Sequence, residues 1–148
     1  MMNIENVKAT LQMVGSRIVS LDIKNMFVFL ENTDKGIERA IDVSYEVGDP
    51  FESEGGNGEL MCLIRLNIEI KIKKEIQEAN ITLVTEGGFA SNTHNKEELK
   101  EMTAVNGAAA IYSVARGTIA SITGQMCEGG QVLIPMLNIY EMNKSKKK

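Results

Sequence analysis

Few residues in this chain of 148 could carry covalent or acid–base chemistry. The single histidine, His94, sits in the polar run Asn92-Thr93-His94-Asn95, which has the composition of a loop. Glu86 precedes Gly87-Gly88 and could aim a carboxylate at a backbone amide. No second carboxylate stands at a spacing that makes an acid–base pair with it. The two cysteines, Cys62 and Cys127, are far apart and form no CxxC, which reads as free thiols in a reducing cytoplasm. One histidine and two separated cysteines do not make a transition-metal site. Gly55-Gly56-Asn57-Gly58 lacks the lysine and the following helix of a phosphate loop. These residues argue against an enzyme and ask for no cofactor or metal.

The chemistry the chain is supplied for is apolar contact. It carries 9 Met and no Trp. Met is unbranched and polarisable, so it adapts to partners of different shape. Five residues are candidates for a binding groove. Phe51 stands in a loop otherwise rich in Gly and Glu. Met61 and Leu63 fall on the polar face of a strand. Ile134 and Met136 flank Pro135 late in the chain. Each could equally fill the core. The formal net charge of −4 argues against nucleic-acid binding, and the lack of Trp argues against stacking on single strands.

The elements that must position these residues follow from periodicity. Residues 1–14 fit either a helix or the lead into a strand, because Ile4, Val7, Leu11 and Val14 have helical spacing. From Arg17 the pattern alternates: Val19, Leu21, Ile23, Phe27 and Phe29 share one face of a half-buried strand, with a turn at 32–36. A second strand places Ile37, Ile41, Val43, Tyr45 and Val47 against Glu38, Asp42, Ser44 and Glu46. A third, over 59–73, places Leu60, Cys62, Ile64, Leu66, Ile68, Ile70 and Ile72 against Arg65, Asn67, Glu69, Lys71 and Lys73. Residues 74–79 turn the chain into a fourth strand over 80–85, ended by Gly87-Gly88. Residues 96–102 form a short helix leading into a long one.

That long helix, 104–124, organises the fold. Thr103 or Asn106 can cap it, and between Met102 and Cys127 the only charged residue is Arg116. A helix apolar nearly all round is buried on several sides. Ile111, Ala115, Thr118 and Ile122 form a stripe suited to a sheet. Gly107, Ala110, Val114, Gly117 and Ser121, continued by Gly124, form a stripe of small residues. Gly costs about 1 kcal/mol against Ala inside a helix, so the glycines here suggest close approach of a second copy of the chain. Asn106, Arg116 and Gln125 interrupt the run too often for a membrane span. The N-terminus, MMNIENVK, lacks the basic end and apolar core of a signal peptide, which points to the cytoplasm. Residues 1–148 read as one domain, with a basic disordered tail at 143–148. The fold class is α+β: a four-stranded antiparallel sheet followed by a long C-terminal helix.

This order of elements resembles the SecB family of export chaperones and their SecB-like relatives. The opening strand RIVSLDI at 17–23 carries the resemblance, as does the strand ending in Gly87-Gly88-Phe89. The helix AIYSVARGTIASIT at 110–123 is similar to the family's ILFPYAR helix. The segment LIPMLNIY at 133–140 is similar to its LNLAPVNF ending. The resemblance implies a homotetramer, a dimer of dimers with helices between two eight-stranded sheets. It also implies an ATP-independent holdase for unfolded polypeptides. The family docks the SecA motor through acidic residues on its sheet. Asp22 matches one such position, whereas Met26 and Leu83 stand at two others, and the tail Lys144-Ser145-Lys146-Lys147-Lys148 is basic instead of acidic or metal-binding. Some relatives serve instead as chaperones of toxin–antitoxin systems. Outside the family, two readings remain: a scaffold using its sheet edges for one fixed partner, and a hot-dog thioesterase. The latter usually places its helix after the first strand or two, not after all four.

Overall fold

The computed structural model describes residues 10–26, 36–54, 59–126 and 134–146. Phe27, Phe29, most of the expected turn at 32–36, the glycines at 55–58, Cys127 and Leu133 lie outside them. Strands β1 (Leu11–Asn25), β2 (Glu38–Val47), β3 (Phe51–Glu52), β4 (Leu60–Lys74) and β5 (Gln77–Ser91) form one antiparallel sheet. Its order is β1-β5-β4-β2, and the two-residue β3 continues the β2 edge by pairing with β4.

Alternation decides the faces. On β4 every even residue from Leu60 to Ile72 is buried, and on β5 every odd residue from Ala79 to Ser91. This face packs under helix α2 (Ala108–Met126), which follows α1 (Lys96–Met102) through a π-helical turn, Thr103–Gly107. The helical run therefore starts at Lys96, and its cap is Asn95, whose side chain accepts from the Glu98 N–H at 3.1 Å. Thr103 and Asn106, the caps expected from the sequence, lie inside the run. Thr103 turns its hydroxyl back onto the Leu99 carbonyl at 2.8 Å.

The sheet-facing stripe of α2 is Ala108, Ile111, Tyr112, Ala115, Ile119 and Thr123. Thr118 and Ile122 are only half-buried, so the stripe beyond Ala115 runs one residue further round than the sequence suggests. Gly87-Gly88 does not end β5 but lies inside it. A side chain on Gly87 would meet Phe89 at 3.1 Å and Ile111 at 3.2 Å, and one on Gly107 would meet Thr103 at 3.0 Å and Phe89 at 3.3 Å. The Phe89 ring thus fills the space that two glycines leave between helix and sheet. Gly107 packs inside its own chain, which corrects its expected place at a contact between copies.

Strand β1 begins six residues before the expected Arg17. It carries two irregularities, between Met13 and Gly15 and between Ile18 and Ser20, and most of it is exposed. The half-buried strand expected here is not realised in the single chain, because α2 covers mainly the two central strands. The turn between β4 and β5 is only Glu75-Ile76, shorter than expected, and β5 starts at Gln77. After α2 the chain returns to the core at Ile134. Arg116 Nε donates to the Ile134 carbonyl at 3.0 Å, and the Tyr112 hydroxyl donates to the Pro135 carbonyl. Helix α3, Ile139–Lys146, then takes in residues 143–146 of the segment expected to be a disordered tail.

Candidate functional site

The sheet face turned away from α2 is ordered in rows that cross the strands. Arg17 pairs with Glu86, Glu86 with Arg65 and Arg65 with Glu46, so opposite charges alternate across β1, β5, β4 and β2. Glu86 accepts from Arg17 Nε at 3.3 Å, from Arg17 Nη2 at 3.2 Å and from Arg65 Nη2 at 3.2 Å. Its side chain is 17% exposed, against 67% for Arg17 and 54% for Arg65. Toward the hairpin the face stays polar; one row there holds Asp22, Thr82, Glu69 and Asp42.

On the other side of the charged row the face turns apolar. Gly15 stands opposite Gly88, Gly88 opposite Leu63, and Gly48 donates its N–H to the Leu63 carbonyl at 2.9 Å. Three glycines and one leucine thus cross β1, β5, β4 and the residue that follows β2. In the next row Ala90 pairs with Met61 and Met61 with Phe51. The glycines leave a floor, and the neighbours wall it. A side chain on Gly88 would meet Leu63 at 3.4 Å, Val14 at 3.8 Å and Met61 at 3.9 Å. The groove so formed, about 340 Å³, ends on Arg17 and Glu86. On the far side of Leu63 a second hollow of about 280 Å³ is lined by Glu46, Gly48, Arg65 and Glu86.

Of the five binding candidates, Met61 and Leu63 line the groove and Phe51 pairs with Met61 beside it; Phe51 and Leu63 are exposed. The other two are elsewhere. Ile134 is buried in the core on the helix side of the sheet, and so does not contribute to this groove. Met136 is 82% exposed on the segment that follows it. Val14, Gly15, Arg17 and Gly88 complete the groove and were not foreseen. The signal was present: two glycines inside strand patterns mark a bulge or a place where something approaches the backbone closely.

On the helix side, Val114, Gly117 and Ser121 are exposed and Ala110 is half-buried; nothing lies within 4 Å of a side chain built on Gly117. Ala110 also lines a hollow of about 380 Å³ with Met13, Phe89, Met102 and Asn106. Glu86 and His94, the two groups considered for catalysis, are used separately. Glu86 is engaged by two arginines. His94 is exposed in the loop where Thr93 and Asn95 build the α1 cap. Among the described residues no group of three His, Cys, Asp or Glu could hold a metal ion. No helix among them is long and apolar enough to cross a membrane.

No family model matches the sequence, and no curated protein matches it either. Among solved structures the chain is similar to the SecB-like chaperone Rv1957 of Mycobacterium tuberculosis in complex with a ChAD peptide from the HigA1 antitoxin. The TM-score is 0.64 at 15% identity, over 90% of this chain and 94% of that one. The antiparallel sheet with its C-terminal helix is a SecB-like fold.

Proposed function

From that fold we propose that the protein is an ATP-independent holdase, a binding protein and not an enzyme, that takes unfolded or partly folded polypeptides. The observation that carries the reading is the apolar groove of Val14, Met61 and Leu63, with exposed Phe51 paired beside Met61, on a sheet face that is otherwise polar. Fully burying an exposed side chain of this kind is worth about 1.5–3 kcal/mol, and these are already about half covered, so the four together supply roughly 3–6 kcal/mol. Association and ordering cost about 4 kcal/mol or more. The difference is a weak grip, suited to holding a segment and releasing it as the client folds. Met61 lets the wall adjust to different side chains. Exposed Met136 extends the apolar surface elsewhere on the molecule.

A second reading, chaperoning the antitoxin of a toxin–antitoxin system, is favoured by the antitoxin peptide in the similar structure. Delivery to a SecA motor would use Asp22, which shares its row with Glu69 and Asp42. In this reading the protein works in the cytoplasm as a homotetramer, with Ala110, Val114, Gly117 and Ser121 at the contact between copies.

Native mass spectrometry, alone and with a chemically unfolded protein, tests the function. A tetramer that captures the unfolded chain and ignores the folded one is expected. A monomer or dimer that ignores both overturns the holdase reading and leaves the scaffold. A single antitoxin bound in preference to generic unfolded chains selects the second reading.

A further inference from the structure

The groove is not uniformly apolar, and its asymmetry carries information about what it holds. The space above Gly88 is walled by Val14, Leu63 and Met61, while the position above Gly15 is open, with nothing within 4 Å. Arg17 lies two residues beyond Gly15 on β1, and both face the groove. Two residues of strand span about 6.6–6.8 Å, the spacing of side chains i and i+2 on one side of an extended segment. The charge accessible at this end is positive. Glu86 accepts from both arginines and is the less exposed partner, while the Arg17 side chain is 67% exposed. A cation arriving there would meet two guanidiniums around an occupied carboxylate, whereas an anion could take up guanidinium N–H groups beyond the two that Arg17 gives to Glu86.

We infer that the groove selects extended segments with a bulky apolar residue at one position and Asp or Glu two residues away. The apolar side chain enters the space over Gly15 and Gly88, and the carboxylate meets Arg17. This rests on reading the groove as the polypeptide-binding site. It goes beyond that reading by assigning a side-chain pattern and giving Gly15, Gly88 and Arg17 their roles. The chemistry is that of an acidic–apolar segment, not of a basic one.

The test uses three fluorescein-labelled peptides in a Ser/Thr-rich host, with Leu-Thr-Glu, Leu-Thr-Lys or Ala-Thr-Glu at the centre. Fluorescence anisotropy reads binding to the wild-type protein, to Gly15→Val and to Arg17→Gln. The Leu/Glu peptide is expected to bind about tenfold tighter than Ala/Glu and about threefold tighter than Leu/Lys. Gly15→Val, which fills open space on an exposed strand, should erase the Leu-over-Ala preference. Arg17→Gln should erase only the Glu-over-Lys preference. Val14→Ala, which removes a wall, gives a second route to the first result if Gly15→Val folds poorly. Equal binding of all three peptides, preference for Lys, or a Leu preference that survives both Gly15→Val and Val14→Ala overturns the inference. If unfolded protein is still captured in those cases, the holdase reading stands. If neither peptides nor unfolded protein bind, both fall.

Discussion

Cys62 is fully buried, and its thiol donates to the Gly48 carbonyl at 3.4 Å. Burial pushes the thiol pKa up, which disfavours the reactive thiolate. In a Cys127→Ser background we expect Cys62 to resist a thiol-labelling reagent in buffer and to label fully in denaturant; rapid labelling of the native protein would contradict its placement. Nearby, Lys100 Nζ and Asp49 Oδ1 lie 2.7 Å apart. The hydrogen bond and charge of Lys100 lower the Asp49 pKa, and those of Asp49 raise that of Lys100. A depressed carboxyl stabilises fully above its ordinary value of 3.8 and loses that contribution as pH falls through the folded value. A raised amine stabilises fully below 10.5 and loses its contribution as pH climbs through the folded value. The urea midpoint of Asp49→Asn should therefore sit slightly below wild type across neutral pH. The two should converge in acid below 3.8. A gap that persists there would assign the effect to something other than the ion pair.

At the scale of elements, the β4–β5 hairpin turns through Glu75, the one residue with positive φ other than glycine among those described, at 53°. An L-residue with a side chain pays about 1–2 kcal/mol in this region and glycine does not. Glycine is freer in the unfolded chain, which offsets part of the gain. Glu75→Gly should raise stability by about 1 kcal/mol in urea denaturation, and a loss would mean the carboxylate has a role at the tip. The helix–sheet contact predicts the opposite sign. A side chain on Gly107 has Thr103 at 3.0 Å and Phe89 at 3.3 Å, so Gly107→Val should destabilise by about 1–3 kcal/mol through overpacking. An unchanged midpoint would mean that α2 can shift away from β5.

At the scale of the whole molecule, the face of α2 bearing Val114, Gly117 and Ser121 has no partner within the described chain. Gly117 is the discriminating residue. In a lone protomer Gly117→Leu has room and gains helix propensity, by somewhat less than the roughly 0.8–1 kcal/mol that separates Gly from Ala. If a second copy packs there, the same change overpacks the contact. We expect the variant to dissociate at concentrations where wild type is assembled, while its secondary structure is kept. Native mass spectrometry and circular dichroism on one sample separate the cases, and an intact oligomer would remove Gly117 from the contact between copies. Phe51→Ser with Leu63→Ser should weaken capture of an unfolded protein by tenfold or more while leaving the thermal midpoint within a few degrees, since both side chains are exposed.

The strands β2 and β4, the buried face of each and the helical run were legible in the sequence because alternation and helical spacing are local consequences of backbone geometry. The place of Met61 and Leu63 was legible for the same reason: each breaks the polar face of a strand whose other face is fully committed to the core. Local pattern could not say what lies across the sheet. That Gly88 floors a groove between Gly15 and Leu63 depends on the register of β5 against β1 and β4. Pairing across the chain, between residues about 70 positions apart, sets that register. The same pairing put Gly15, Val14 and Arg17 beside Leu63, while packing against Phe89 buried Gly107 and the contact from Arg116 brought Ile134 into the core. Periodicity assigns each side chain to a face; only the register and the bulges of β1 decide which side chains on that face become neighbours.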